Sequence, residues 1–142
     1  MKRTLMILSL LMVSSVYVSA MDRLDALSQI ESHNNDHAIG RQHEVSRYQV
    51  LPVFWARAEA LYKERSLTPT DPAAARKVVD WIMDSRCRAF EARYHRPPDD
   101  FEYYILWHRP ACFVGRPVPR PLTPLEKERG RRFANLCGNS EG

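Results

Sequence analysis

Prolines cut this chain into short lengths, and several of the cuts carry helix-starting residues, so the fold open to it is a small set of short helices joined by turns. The sequence has 142 residues and ten prolines. Thr70-Asp71-Pro72 pairs a cap candidate with Pro at the first helical position, where the missing N–H costs nothing. Arg96-Pro97-Pro98 ends the helix that begins there, at about Tyr94. Asp99 or Asp100 then caps an aromatic-rich helix from Phe101 to Trp107, which Pro110 terminates. Thr123-Pro124-Leu125-Glu126 has the form of a capping box and opens a final helix.

Two further helices are expected, from about Asp22 to Ser32 and from about Val53 to Glu64. Between them His33 to Gly40 is rich in Asn, Asp and Gly, which favour turns and left-handed backbone. Glu44 to Val50 alternates apolar and polar residues until Pro52, as a short strand or hairpin arm does. Along the longest helix Val78, Ile82 and Phe90 share a side with Val79, Trp81 and Met83. In the last, Leu125, Phe133 and Leu136 are expected to dock while Arg129, Arg131 and Arg132 face out. The expected class is α+β, mainly helical, with a small β-hairpin next to the first helix. Trp55, Trp81, Phe90, Phe101, Tyr103 and Tyr104 are expected to fill its core.

Residues 1–20 read as a signal peptide. Lys2 and Arg3 precede a mostly apolar run from Leu5 to Val18, and Val18-Ser19-Ala20 puts small residues where a signal peptidase cuts. The expectation is export to a periplasmic or extracellular space after cleavage near Ala20, with no stable membrane insertion afterwards. Residues 21–142 then suffice for one domain with one core. Loss of Lys2 and Arg3 takes the formal charge from +4 to +2, which disfavours a nucleic-acid partner. Arg outnumbers Lys 17 to 4, a bias suited to bidentate contact with carboxylates or phosphates. Cys87, Cys112 and Cys137 lie in no metal-ligand spacing; they allow one disulfide with one thiol left over, or three small apolar side chains. His33 and His37 are four apart with Asp36 and His43 nearby, but Asn34-Asn35 between them argues for a turn, so neither metal nor other cofactor is expected.

The chemistry concentrates at Glu31. Leu24, Leu27 and Ile30 recur at helical spacing and place Glu31 at the helix's end, one wall apolar and the other open. Burial there holds a carboxyl protonated near neutral pH, which is what a general acid needs to protonate a glycosidic oxygen.

Gln29-Ile30-Glu31-Ser32-His33-Asn34-Asn35 is similar to the "Q-x-E-S-x-x-N" segment of the lysozyme-like superfamily, within the soluble lytic transglycosylase and goose-type lysozyme group. Gly40 to Gln49, ending Ser46-Arg47-Tyr48-Gln49, occupies the place of that group's "G-A-x-G-L-M-Q" segment, where only Gln49 is identical. Tyr104-Ile105-Leu106-Trp107-His108-Arg109-Pro110-Ala111 falls where the group has "A-A-Y-N-A-G", with Trp107 at its Tyr and His108 at its Asn. The resemblance covers about Asp22 to Arg109. It implies a lysozyme-like domain acting on peptidoglycan glycan strands at the β-1,4 MurNAc-GlcNAc linkage, with Glu31 as acid and then base, and with Ser32, Asn35, Tyr48, Gln49 and Trp107 as substrate contacts.

Two questions stay open at this level. Glu44 is either a second carboxylate that orients water, making a hydrolase, or a partner of Arg41 or Arg47. The replacement of the phenol by Trp107 also admits a catalytically weak module that docks on cell wall or on a partner. Oligomeric state is not legible.

Overall fold

The computed structural model describes residues 20–62, 67–115 and 120–138. Almost all of the expected leader, the end of the second helix at Glu64 and most of the Arg116-Pro121 loop lie outside the described residues. Among the described residues the domain is mainly helical: α1 (Arg23–Ser32), α2 (Pro52–Tyr62), α3 (Pro72–Tyr94), α4 (Asp100–His108) and α5 (Pro124–Leu136), with a 3-10 turn at Pro110–Cys112. None of these helices is long and apolar enough to cross a membrane.

The helix starts follow the capping chemistry. The Asp22 carboxylate accepts from the Leu24 and Asp25 N–H groups at 2.8 and 3.0 Å, and Asp71 accepts from Ala73 N–H ahead of α3. Of the two candidates before α4, Asp99 is the cap and forms a full capping box with Glu102. Asp100 instead is buried and pairs with Arg23 at 2.7 Å. Thr123 and Glu126 complete the box at α5, at 2.8 and 3.2 Å. Pro52 opens α2 rather than merely closing the segment before it. Helices α1 and α3 end on left-handed His33 and His95.

Helix α4 is the centre of the packing. Tyr103 to Trp107 are all buried, as expected of a short helix that is apolar around its whole circumference. Its most extensive partner is α5: Tyr103 stacks on Phe133 with ring centroids 5.9 Å apart, and Tyr104 meets the same ring at 5.6 Å. Gly130 makes this approach possible, because a Cβ there would lie 2.6 Å from the Phe101 ring. Leu125, expected to help dock α5, is 57% exposed; the docking face runs instead through Glu126, Gly130 and Phe133.

The hairpin expected between α1 and α2 does not form as paired strands. Its place is taken by two isolated antiparallel bridges, Ile39 with Val45 and Val45 with Val50. His43, Ser46 and Gln49 have φ of 61°, 70° and 56°, and left-handed residues so closely spaced break an extended run before a ladder can propagate. Val45 bonds Val50 in both directions, at 2.9 and 2.8 Å, and Gly40 N–H reaches Glu44 O at 2.9 Å. Arg47 clamps this loop to the preceding turn through a bidentate pair with Asp36 at 2.6 and 2.9 Å.

The three cysteines are unpaired, Cys112 buried and Cys87 and Cys137 partly so. Burial raises all three thiols above their ordinary value, Cys137 to about 11.

Candidate functional site

A groove of about 640 Å³ runs between the α1–α2 loop, α3 and the C-terminal ends of α1 and α4. Glu31, Glu44, Gln49 and Trp107, four of the residues singled out from sequence, line it together.

Glu31 comes from the last turn of α1, just before His33 turns left-handed. Its carboxylate is half-buried, and the Tyr104 hydroxyl donates to its Oε1 at 3.2 Å. Burial raises the Glu31 carboxyl above its ordinary value; the Tyr104 bond and the Arg129 guanidinium pull the other way, and the Glu44 carboxylate adds to the rise. The net effect favours a carboxyl that keeps its proton to higher pH than a solvated one. Tyr104, 0% exposed, is shifted upward mainly by burial and then by Glu31, so its phenol stays protonated and remains a donor.

Tyr104 was expected to be core alone. It is core, yet its hydroxyl is also the polar partner of Glu31. Tyr104 lies three residues before Trp107, so the two share a face of α4. Trp107, 9% exposed, lies at the groove with its ring under the Arg86 guanidinium. His108, though exposed overall, stacks on Tyr104 with ring planes 8° apart; partial desolvation and then Arg129 hold its pKa below the ordinary imidazole value.

Glu44 and Gln49 converge over Gly40. Glu44 Oε2 accepts from Gln42 N–H at 2.8 Å, and Gln49 Nε2 donates to Ser46 O at 3.1 Å. A Cβ on Gly40 would overlap the Glu44 carboxylate and stand 2.7 Å from Gln49 Oε1. Glycine at this position is what lets two polar side chains fold across the backbone and into the groove. Glu44 thus takes a backbone donor; the pairing of Arg47 goes to Asp36 instead.

Three expected substrate contacts lie elsewhere. Tyr48 is 2% exposed and packs in the core, so it has no ring face to offer a sugar. Ser32 is turned into the loop, where its Oγ donates to Arg47 O at 2.7 Å and accepts from Asn35 N–H at 3.0 Å. Asn35 accepts from His37 N–H at 3.0 Å. Ser32 and Asn35 fasten the loop to the end of α1, which fixes where Glu31 stands, and neither lines the groove. Asn34 does similar work, bonded by Ser28 Oγ and donating to Gln29 at 2.7 Å.

Arg129, expected on the outer face of α5, lines the groove and interacts with both Glu31 and the Tyr104 hydroxyl. Its spacing carries the signal: Glu126, Arg129, Gly130 and Phe133 fall on one face at helical period, and the two ends of that stretch are buried. Arg109 pairs with buried Glu126 at 3.1 Å. Among the described residues no group of three or more His, Cys, Asp or Glu side chains is placed to hold a metal ion. What the arrangement offers chemically is a protonatable carboxyl, oriented by a phenol, in an open groove with a second carboxylate. No protein-family model, curated protein or solved structure matches this chain.

Proposed function

We propose that this chain is an exported, lysozyme-like domain that cleaves peptidoglycan glycan strands at the β-1,4 MurNAc-GlcNAc linkage by lytic transglycosylase chemistry. The observation that carries the reading is the half-buried Glu31 carboxyl, held by the Tyr104 hydroxyl and lining an open groove of about 640 Å³. Glu31 in its acid form gives its proton to the glycosidic oxygen, and the C1–O bond breaks to leave oxocarbenium character on the ring. The resulting carboxylate takes the proton of the same sugar's C6 hydroxyl, whose oxygen bonds to C1, closing a 1,6-anhydro ring and restoring the acid. Tyr104 donates to one carboxyl oxygen and leaves the other for the proton. Arg129 lowers the cost of the anion between the two steps. Gln49 offers an amide to ring substituents, and Trp107 forms part of the wall.

One observation favours hydrolysis as a second reading. Glu44 opens on the same groove and its charge acts on Glu31, an arrangement that suits a carboxylate orienting water. Digestion of purified wall tests both. Products ending in anhydro-muramic acid support transglycosylation and reducing ends support hydrolysis. If wild type and Glu31→Gln are equally inert but both sediment with wall, the domain is a docking module instead.

A further inference from the structure

We infer that Arg86 forms a carboxylate subsite in the groove, so that the glycan it takes is an anionic one. The inference rests on the glycan reading above and names which glycans fit best. Arg86 rises from α3 into the groove wall, its guanidinium carbon 5.3 Å from the Phe54 ring and 5.6 Å from the Trp107 ring. Its Nη1 donates to the Leu106 and Trp107 carbonyls at 2.9 and 2.6 Å, in the last turn of α4. These contacts fix the plane of the guanidinium and use one of its nitrogens.

Among the described residues no carboxylate is paired with Arg86. The other groove arginines are differently placed: Arg109 pairs with Glu126, Arg129 serves Glu31 and Tyr104, and Arg41 is exposed. The end of α4 offers this cation only partial negative charge, and a half-buried guanidinium with no carboxylate of its own still carries the cost of leaving water. Planar, pre-oriented donors beside aromatic faces are the geometry that binds a carboxylate through two parallel bonds. The carboxylate can be a lactyl group on the sugar or belong to a stem peptide.

Binding is measured by calorimetry to the Glu31→Gln chain, which removes turnover. The probes are a muramyl tetrasaccharide with free lactyl carboxylates, its methyl ester, the same glycan carrying stem peptides, and chitotetraose. The inference expects the free acid to bind about tenfold or more tighter than its ester, with the preference lost in an added Arg86→Gln and partly kept in Arg86→Lys. A preference confined to the peptide-bearing glycan assigns the carboxylate to the stem. Equal binding of acid and ester, together with no gain from the stem, overturns the subsite and leaves the glycan reading standing. Persistence of the preference in a folded Arg86→Gln chain also overturns it. No binding of any glycan removes both. The acid and ester comparison keeps its force even where Arg86→Gln unfolds α4.

Discussion

The Tyr104 hydroxyl donates to Glu31 Oε1 across 73 positions of sequence, at 3.2 Å. It ties the end of α1 to the central helix and sets one oxygen of the carboxyl. Removing the hydroxyl in Tyr104→Phe removes an interaction that favours the carboxylate, so the Glu31 pKa rises further. Activity that needs the acid form falls as pH climbs through that pKa, and in Tyr104→Phe this alkaline limb moves to higher pH. Loss of orientation lowers the maximal rate by about tenfold. A pH–rate profile of both chains checks the two effects separately.

Glu31 itself costs stability at neutral pH. Its folded pKa is raised mainly by burial, so above the ordinary glutamate value the unfolded chain ionises first and stability falls as pH rises toward the folded pKa. Glu31→Gln is therefore expected to melt at higher temperature than wild type at pH 7. The gain shrinks as pH falls through the ordinary value and vanishes below it, where both states of wild type are protonated. Thermal melts from pH 4 to pH 8 measure this without any assay of activity.

Gly40 separates the roles of the two carboxylates. A methyl group there meets flexible side-chain ends, those of Glu44 and Gln49, so Gly40→Ala is expected to change stability by less than about 1 kcal/mol while moving Glu44. If Glu44 orients water, the share of reducing ends among the products drops in Gly40→Ala. If it does not, the product ratio is unchanged. Chromatography of the released glycans reads the outcome.

Gly130 is different because its neighbour is a ring wedged between two helices. Ala inside a helix ordinarily gains up to about 1 kcal/mol over Gly, but overpacking costs about 1–3 kcal/mol. With Phe101 at 2.6 Å from the added Cβ, a net loss of about 1 kcal/mol is expected, seen as a lower urea midpoint with an unchanged slope.

Helix starts were legible because capping is local. Asp71, Thr123 and Glu126 act within three residues of themselves, and each stands where its spacing puts it. Glu31 was legible for a similar reason: three apolar residues at helical period fix its face, and the half-burial follows. The loop was not, because alternation from Glu44 to Val50 cannot reveal that Ser46 and Gln49 turn left-handed, and the same turn sends Tyr48 into the core. Tyr104 was hidden by its dual use, a ring in the core with a hydroxyl bonded to Glu31. Arg129 was hidden by composition, since a run of arginines looks solvated until Gly130 and Phe133 are seen to bury the face it shares.

The most direct test of the account is the amount and identity of the glycan fragments released from purified wall by wild type and by Glu31→Gln. The account predicts soluble fragments from wild type, ended by anhydro-muramic acid, and at least about a hundredfold less from Glu31→Gln. Release by Glu31→Gln at the wild-type rate would contradict it.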